Sequence, residues 1–245
     1  MSRKTNTFYG APLMWVPLLA LVLLATVLIR SGAGEPKPEP TPTPVPTTAP
    51  TPTPEPEYLE YGTDTSLEID DSGFLHPETK NNLDLVSFVT EAWKHQWGYV
   101  WGFFGDVLTE ESLQFRLEMY PDDITEYEDI IREKWMGRRA ADCMGLIKAY
   151  GWYHPDQDVI LYNTNDIPDY GTDTLFKEAE EIGPIRTIPE IPGLLVYRDG
   201  HVGVYIGGGY VIEAHGSEYG VVKTRLDQQP FTHWLKCPFI EYIEE

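Results

Sequence analysis

Ten prolines at near-alternate positions between residues 35 and 57 (EPKPEPTPTPVPTTAPTPTPEPE) partition this 245-residue chain before anything else is known about it. Proline fixes φ and donates no N–H, so this stretch enters neither helix nor sheet and takes the extended polyproline II form. At ~3.1 Å per residue it would reach on the order of 70 Å. Residues 31–57 therefore read as a Pro/Thr-rich linker, a semi-rigid stalk. Ahead of it, residues 11–29 (APLMWVPLLALVLLATVLI) carry no charge over 19 positions, the length needed to cross a hydrocarbon core of ~30 Å. Arg3 and Lys4, in residues 1–10, keep that end in the cytoplasm by the positive-inside rule. Residues 11–30 are thus expected to form a single-pass membrane anchor. The alternative is a signal cut near Ser31-Gly32-Ala33; either way residues 58–245 are expected to lie outside the cytoplasm.

The formal net charge of −21 falls entirely on that exported part, because residues 1–57 hold four basic and four acidic side chains. An acidic surface repels phosphate backbones and anionic headgroups, so nucleic acid is not an expected partner. A hydrophobic fraction of 42% with seven tryptophans is enough for a packed core. The two cysteines, Cys143 and Cys237, permit a disulfide in an oxidising compartment. Their settings differ, though. Cys237, within HWLKCPFIEY, reads as a small buried hydrophobe, whereas Cys143 opens an apolar helical pattern after a loop.

Asn81 and Asn82 are placed to cap a helix whose apolar positions Leu85, Val86, Val89, Trp93 and Trp97 follow a 3.6 period, ending at Gly98. Residues 110–136 read as helical, broken at Pro121, and Asp142 to Tyr150 as a short helix. From Leu194 the period becomes two. LLVYR, the pair Asp199-Gly200 and HVGVYIG predict a hairpin with a type I′ turn, and YVIEAHG and VVKTRL supply further strands after Gly207-Gly208-Gly209. Helices first and a strand meander last predict an α+β domain, with helices gathered on one side of an antiparallel sheet.

A thiol attacks a carbonyl as thiolate, which calls for something that lowers its pKa. A helix N-terminus and a nearby imidazole both do so. Cys143 sits where the 142–150 helix begins, and the N–H groups there also suit an oxyanion hole. His201, directly after Asp199-Gly200, is the candidate base. A third group should orient it; Glu213 and His215, on one face of the next strand, both qualify by position. His95, His154 and His233 read as ordinary satisfied groups. Zinc at Cys143, His201 and His215 lacks the close ligand pairs that mark such sites, and no cofactor is expected.

The set Tyr99-Val-Trp-Gly, Asp142-Cys143-x-Gly145-Leu146-Ile147 and His201-Val-Gly-Val-Tyr-Ile-Gly, in that order, resembles the NlpC/P60 family over roughly residues 90–226. These are papain-like cysteine peptidases of cell-wall peptides, typically cutting between γ-D-glutamyl and a diamino acid. The resemblance implies Cys143 as nucleophile, His201 as base and, twelve positions later, Glu213 as third residue, with His215 in reserve. It also implies that Tyr99 and Asp142 meet substrate, Asp142 through a free amine, and that peptidoglycan peptides are the partner. The chain departs from the pattern with Met144 in place of serine and with Gly193-Leu194-Leu195 in place of Gly-Asp-Leu. An insertion, residues 103–141, also lies between the first two motifs and is expected to remodel the cleft. The same Cys/His site would serve an amidase or acyltransferase, and a non-catalytic wall-binding module would use the cysteine only as structure.

Overall fold

The computed structural model describes residues 58–243. The expected cytoplasmic start, membrane anchor and stalk lie outside the described residues. Among the described residues no helix is long and apolar enough to cross a membrane.

Helix α1 (Asn82–Lys94) starts where the capping residues place it. The Asn81 side chain accepts from the Asp84 N–H at 2.9 Å, satisfying one of the N–H groups a helix start leaves open. The Asp84 carboxylate accepts from the N–H of Leu75 and His76, tying the preceding irregular segment to the helix. The helix stops earlier than periodicity suggests, because Gln96 takes a positive φ of 49°. Trp97 is therefore not a helical residue, although its ring meets Phe88 edge-on at 5.7 Å.

The expected insertion is a small folded unit. Strand β1 (Phe104–Val107) leads into α2 (Glu110–Met119), α3 (Pro121–Ile124), a 3-10 turn (Thr125–Tyr127) and α4 (Glu128–Lys134), and β2 (Arg139–Ala141) closes it. Pro121 occupies the first turn of α3, where a missing N–H costs nothing. Val100, Phe103, Leu108, Leu113, Ile124, Ile131 and Trp135 form its own core. Strands β1 and β2 pair antiparallel, Phe104 opposite Ala141, so the unit leaves and returns at one point. The Asp142 N–H then bonds the Phe103 carbonyl at 2.9 Å, one residue before Cys143.

Helix α5 (Cys143–Trp152) follows, then the short pair β3 (Tyr153–His154) and β4 (Val159–Ile160), then α6 (Thr172–Glu178). The main sheet comprises β5 (Ile182–Pro184), β6 (Leu195–Arg198), β7 (His201–Gly207), β8 (Tyr210–Ala214), β9 (Val221–Arg225) and β10 (His233–Leu235). Its order is β5-β10-β6-β7-β8-β9, every neighbouring pair antiparallel. Helices α1 and α5 pack on one face, against Val202, Val204, Ile212 and Ala214. Side chains alternate along strands, so Tyr205 and Val211 face the other way, into a cluster with Leu194, Val196, Phe231 and Trp234. This is a mixed helix and sheet domain, with α1 and α5 on one face of its antiparallel sheet.

The turns differ from expectation. At Asp199-Gly200 only Gly200 has a positive φ, 70°, whereas type I′ requires it at both positions. The I′ pattern falls instead on Gly208-Gly209 (61° and 80°), which link Gly207 to its partner Tyr210.

Candidate active site

Asp142 is the N-cap of α5. Its Oδ1 accepts from the Gly145 N–H at 2.5 Å and its Oδ2 from the Gly102 N–H at 2.8 Å. One carboxylate thus ties the helix start to the Tyr99–Gly102 segment across the base of the insertion. Both of its oxygens bear backbone bonds, which makes it a strut of the cleft floor. Burial pushes its carboxyl up, opposed by Lys148 and those two N–H groups. Gly145 is required for close approach, since a Cβ there would lie 1.8 Å from the Phe103 carbonyl oxygen. Replacing Asp142 by alanine should cost about 1–2 kcal/mol through loss of the cap, read as a lower midpoint in urea.

Cys143, 5% exposed, heads the helix with its thiol toward the N–H groups of Val202, Met144 and Cys143 itself. Val202 directly follows His201, so the thiol lies against the start of β7. The β7–β8 ladder is paired from Val204/Ile212 onward, and His201 to Gly203 lie beyond that paired stretch. The lowered thiol pKa expected at a helix N-terminus is not what this fold delivers. Burial, then the Asp142 carboxylate, push the Cys143 thiol up to about 12, against the three N–H groups. Cys143 and Cys237 are both free, buried thiols. Cys237 sits in the main core, so the disulfide alternative does not apply.

His201 Nε2 lies 2.6 Å from Glu213 Oε2. Both residues are buried, Glu213 to 1% exposure. His215 Nδ1 approaches the same oxygen at 3.1 Å, and the Thr224 hydroxyl donates to Oε1 at 2.6 Å. The two candidates for the third position are therefore not equivalent: Glu213 meets His201 directly, and His215 shares the same Glu213 oxygen. Burial alone would raise the Glu213 carboxyl, but hydrogen bonds from His201 and His215 overcome it and hold it down to about 2. An ionised carboxylate accepts only, so both imidazole nitrogens facing it carry protons. That leaves Nδ1 as the ring nitrogen of His201 not bonded to Glu213. Gly203 makes room for the pair, since a Cβ there would lie 3.2 Å from the Glu213 Cβ, and Phe231 stacks on the His201 ring at 6.1 Å.

The ligand atoms of His201, Glu213 and His215 lie within 4.8 Å of one another, close enough to share a divalent cation in place of protons. Cys143 does not belong to that group. As the structure stands, the carboxylate's capacity is taken up by the three donors just named.

The thiol opens on a cleft of about 590 Å³. Its walls include Phe104, Phe115, Arg116, Met119 and Tyr120 from the insertion, and Lys148, Tyr162 and Asp169 from the other side. A second hollow, about 450 Å³, holds Tyr99, His215, Asp122, Asp123 and Glu126, and Trp101 borders both. Tyr99 is half-buried, and burial, with Cys143 and Asp142 as neighbours, raises its hydroxyl well above the ordinary range. Met144 is buried at the cleft floor where the family motif has serine. Sequence reading missed Arg116, Lys148 and Thr224. Phe115 and Met119, an exposed apolar pair four apart on the charged helix EESLQFRLEM, were the available sign that α2 faces a cleft.

No family model matches the sequence, and no curated protein does. Two solved structures show a distant similarity. The peptidoglycan hydrolase RipB from Mycobacterium tuberculosis is 19% identical, with a TM-score of 0.36 over 69% of this chain and 69% of that one. The P60 domain of the M. avium subspecies paratuberculosis antigen MAP1204 is also 19% identical, with a TM-score of 0.34 over 64% of this chain and 96% of that one.

Proposed function

We propose that this protein is a cysteine peptidase that hydrolyses amide bonds in peptidoglycan stem peptides, with Cys143 as nucleophile, His201 as base and Glu213 as the group that orients the base. The observation carrying this reading is the buried His201–Glu213 pair beside a thiol at a helix N-terminus, opening on a cleft. The motif order Tyr99-Val-Trp-Gly, Asp142-Cys143 and His201-Val-Gly adds the γ-D-glutamyl-diamino acid bond as the favoured target. By the same reading, residues 11–30 anchor the domain in the membrane and the proline-rich segment spaces it toward the wall.

A thiol pushed up to about 12 rests protonated at neutral pH, so no standing thiolate starts the reaction. His201, with its Nε2 proton committed to Glu213, takes the thiol proton on Nδ1 as Sγ attacks the carbonyl. The N–H groups at the start of α5 face the developing oxyanion. The imidazolium, stabilised by the Glu213 carboxylate, protonates the departing amine. Water then attacks the thioester with His201 again as base, and the carboxyl product leaves.

The direct test is digestion of purified peptidoglycan by the full chain, with mass spectrometry of the fragments. Cleavage at γ-D-glutamyl bonds supports the proposal. Tight wall binding without turnover, indifferent to thiol blocking, would replace it with a binding module. Asp142 bears two backbone bonds, so peptides with free and capped amines belong in the same assay; equal rates on both favour the broader amidase reading. The resting thiol has its own signature. Iodoacetamide should alkylate Cys143 slowly at pH 7 in the folded chain and much faster in denaturant, since only thiolate reacts. Fast alkylation of the folded chain below pH 7 would mean a preformed thiolate–imidazolium pair and a different first step.

A further inference from the structure

We infer that Arg116 of the insertion is a carboxylate-binding residue of the Cys143 cleft, so that the preferred substrate carries a free carboxylate near the bond that is cut. The inference rests on the proposed peptidase reading and names a substrate feature which that reading leaves open.

Arg116 stands on α2 and lines the same cleft as Cys143. A Cβ on Gly102 would lie 3.3 Å from Arg116 Nη1, which places the guanidinium over the segment that Asp142 ties to the nucleophile's helix. Asp142, Asp169 and Asp106 lie near enough to feel its charge, but none of them contacts it directly. Asp142 accepts from two backbone N–H groups, and Asp169 accepts from Lys148 at 2.5 Å and from the Tyr162 hydroxyl at 2.7 Å. Among the described residues none forms an ion pair or hydrogen bond with the Arg116 guanidinium. Aromatic faces hold it instead, with Phe103 at 5.5 Å, Phe115 at 5.6 Å and Phe104 at 6.0 Å from its central carbon.

An arginine has five donors and no acceptor, and its planar fork matches a carboxylate in bidentate fashion. Packing on rings fixes the plane and lowers the entropy lost when a ligand docks. A chain of net charge −21 otherwise discourages anionic ligands, so an arginine that no protein carboxylate contacts directly marks where one is admitted in this cleft. Arg116 is a specificity residue here, not a participant in bond breaking.

The test uses the full chain and two synthetic tripeptides, L-alanyl-γ-D-glutamyl-diaminopimelate as the free acid and with its carboxylates converted to carboxamides. Wild type should favour the acid by about 10- to 100-fold in kcat/KM, the range for a charge-assisted bidentate contact. Arg116→Gln should erase that preference, chiefly through a rise in KM on the acid that the amide does not share in proportion. Arg116→Lys should restore part of it, and so covers the case in which glutamine unsettles the fold. Equal rates of wild type on both peptides, or equal losses on both in Arg116→Gln, overturn the inference. Calorimetric titration of the Cys143→Ala variant with the same peptides separates the two failures. Acid-selective binding that depends on Arg116, without turnover by wild type, sinks the peptidase and leaves the subsite standing. Cleavage without selectivity does the reverse, and neither binding nor cleavage ends both.

Discussion

Replacing Cys143 by alanine should abolish hydrolysis of wall peptides, a fall of at least about 10⁴-fold in kcat, while the domain stays folded. The activity estimate follows from enzymes whose nucleophile and base act as a unit, where losing the nucleophile removes nearly all chemical assistance. The stability estimate follows from size. A buried thiol gives way to a methyl group, which costs about 1 kcal/mol in contacts at a site next to an open cleft. Circular dichroism and urea midpoints report the second quantity, and fragment release from purified wall reports the first. Residual cleavage near the wild-type rate would remove Cys143 from the mechanism whatever the rest of the site looks like.

Glu213→Ala should be the most disruptive single change to this site, because it damages fold and chemistry together. The carboxylate is 1% exposed and receives His201, His215 and Thr224. Alanine leaves those donors facing a cavity, and removing one partner from a buried charged network costs about 3–5 kcal/mol. Catalysis should fall by about 10²- to 10⁴-fold in the fraction that remains folded, since His201 loses the group that fixes its tautomer and offsets its charge. Glu213→Gln separates the effects by keeping the volume and one acceptor while discarding the charge. The pH dependence has a definite sign. The Glu213 carboxyl is held down to about 2 in the folded protein, below its unfolded value of about 4.3. Its contribution, on the order of 3 kcal/mol, is therefore present above about pH 4.3 and is lost as pH falls toward 2. Acid titration of stability should show this loss in the wild type, and Glu213→Gln should lack it. An identical acid limb in both would show that the network does not stabilise the fold.

Much of this architecture was legible because local signals and tertiary packing agree. Asn81 caps α1, Asp142 caps α5, Pro121 begins α3, and the change from a 3.6 to a 2 period marks the entry into the sheet. Cys143 and His201 could be named because each stands at a place that backbone pattern reveals, a helix start and the residue after a turn, whereas strand parity left Glu213 and His215 level and only the family resemblance favoured Glu213. What stayed hidden depends on three-dimensional neighbours. Local pattern does not show that the Asp142 carboxylate would turn inward to the Gly102 N–H, or that burial at the helix start would outweigh the backbone N–H groups and raise the Cys143 thiol. Nor does the composition of α2 say that Arg116 meets rings instead of an acid, because that depends on where the chain returns forty residues later. The misplaced type I′ turn has a simpler cause. Asp-Gly and Gly-Gly both suit that turn, and the twist of the strands on either side decides between them.

The short β1–β2 ladder has a consequence for how such a protein can change over generations. Because the unit between Phe103 and Asp142 leaves and rejoins the domain at one point and carries its own core, its cleft-facing surface can vary while the Trp135 and Lys134 bonds to the Ser217 and Glu218 carbonyls keep it seated. Residues on this unit, Arg116 and its aromatic neighbours among them, can thus be exchanged while the cysteine, histidine and glutamate remain as they are. Appetite for substrate and capacity for chemistry are inherited on separate pieces of the same chain.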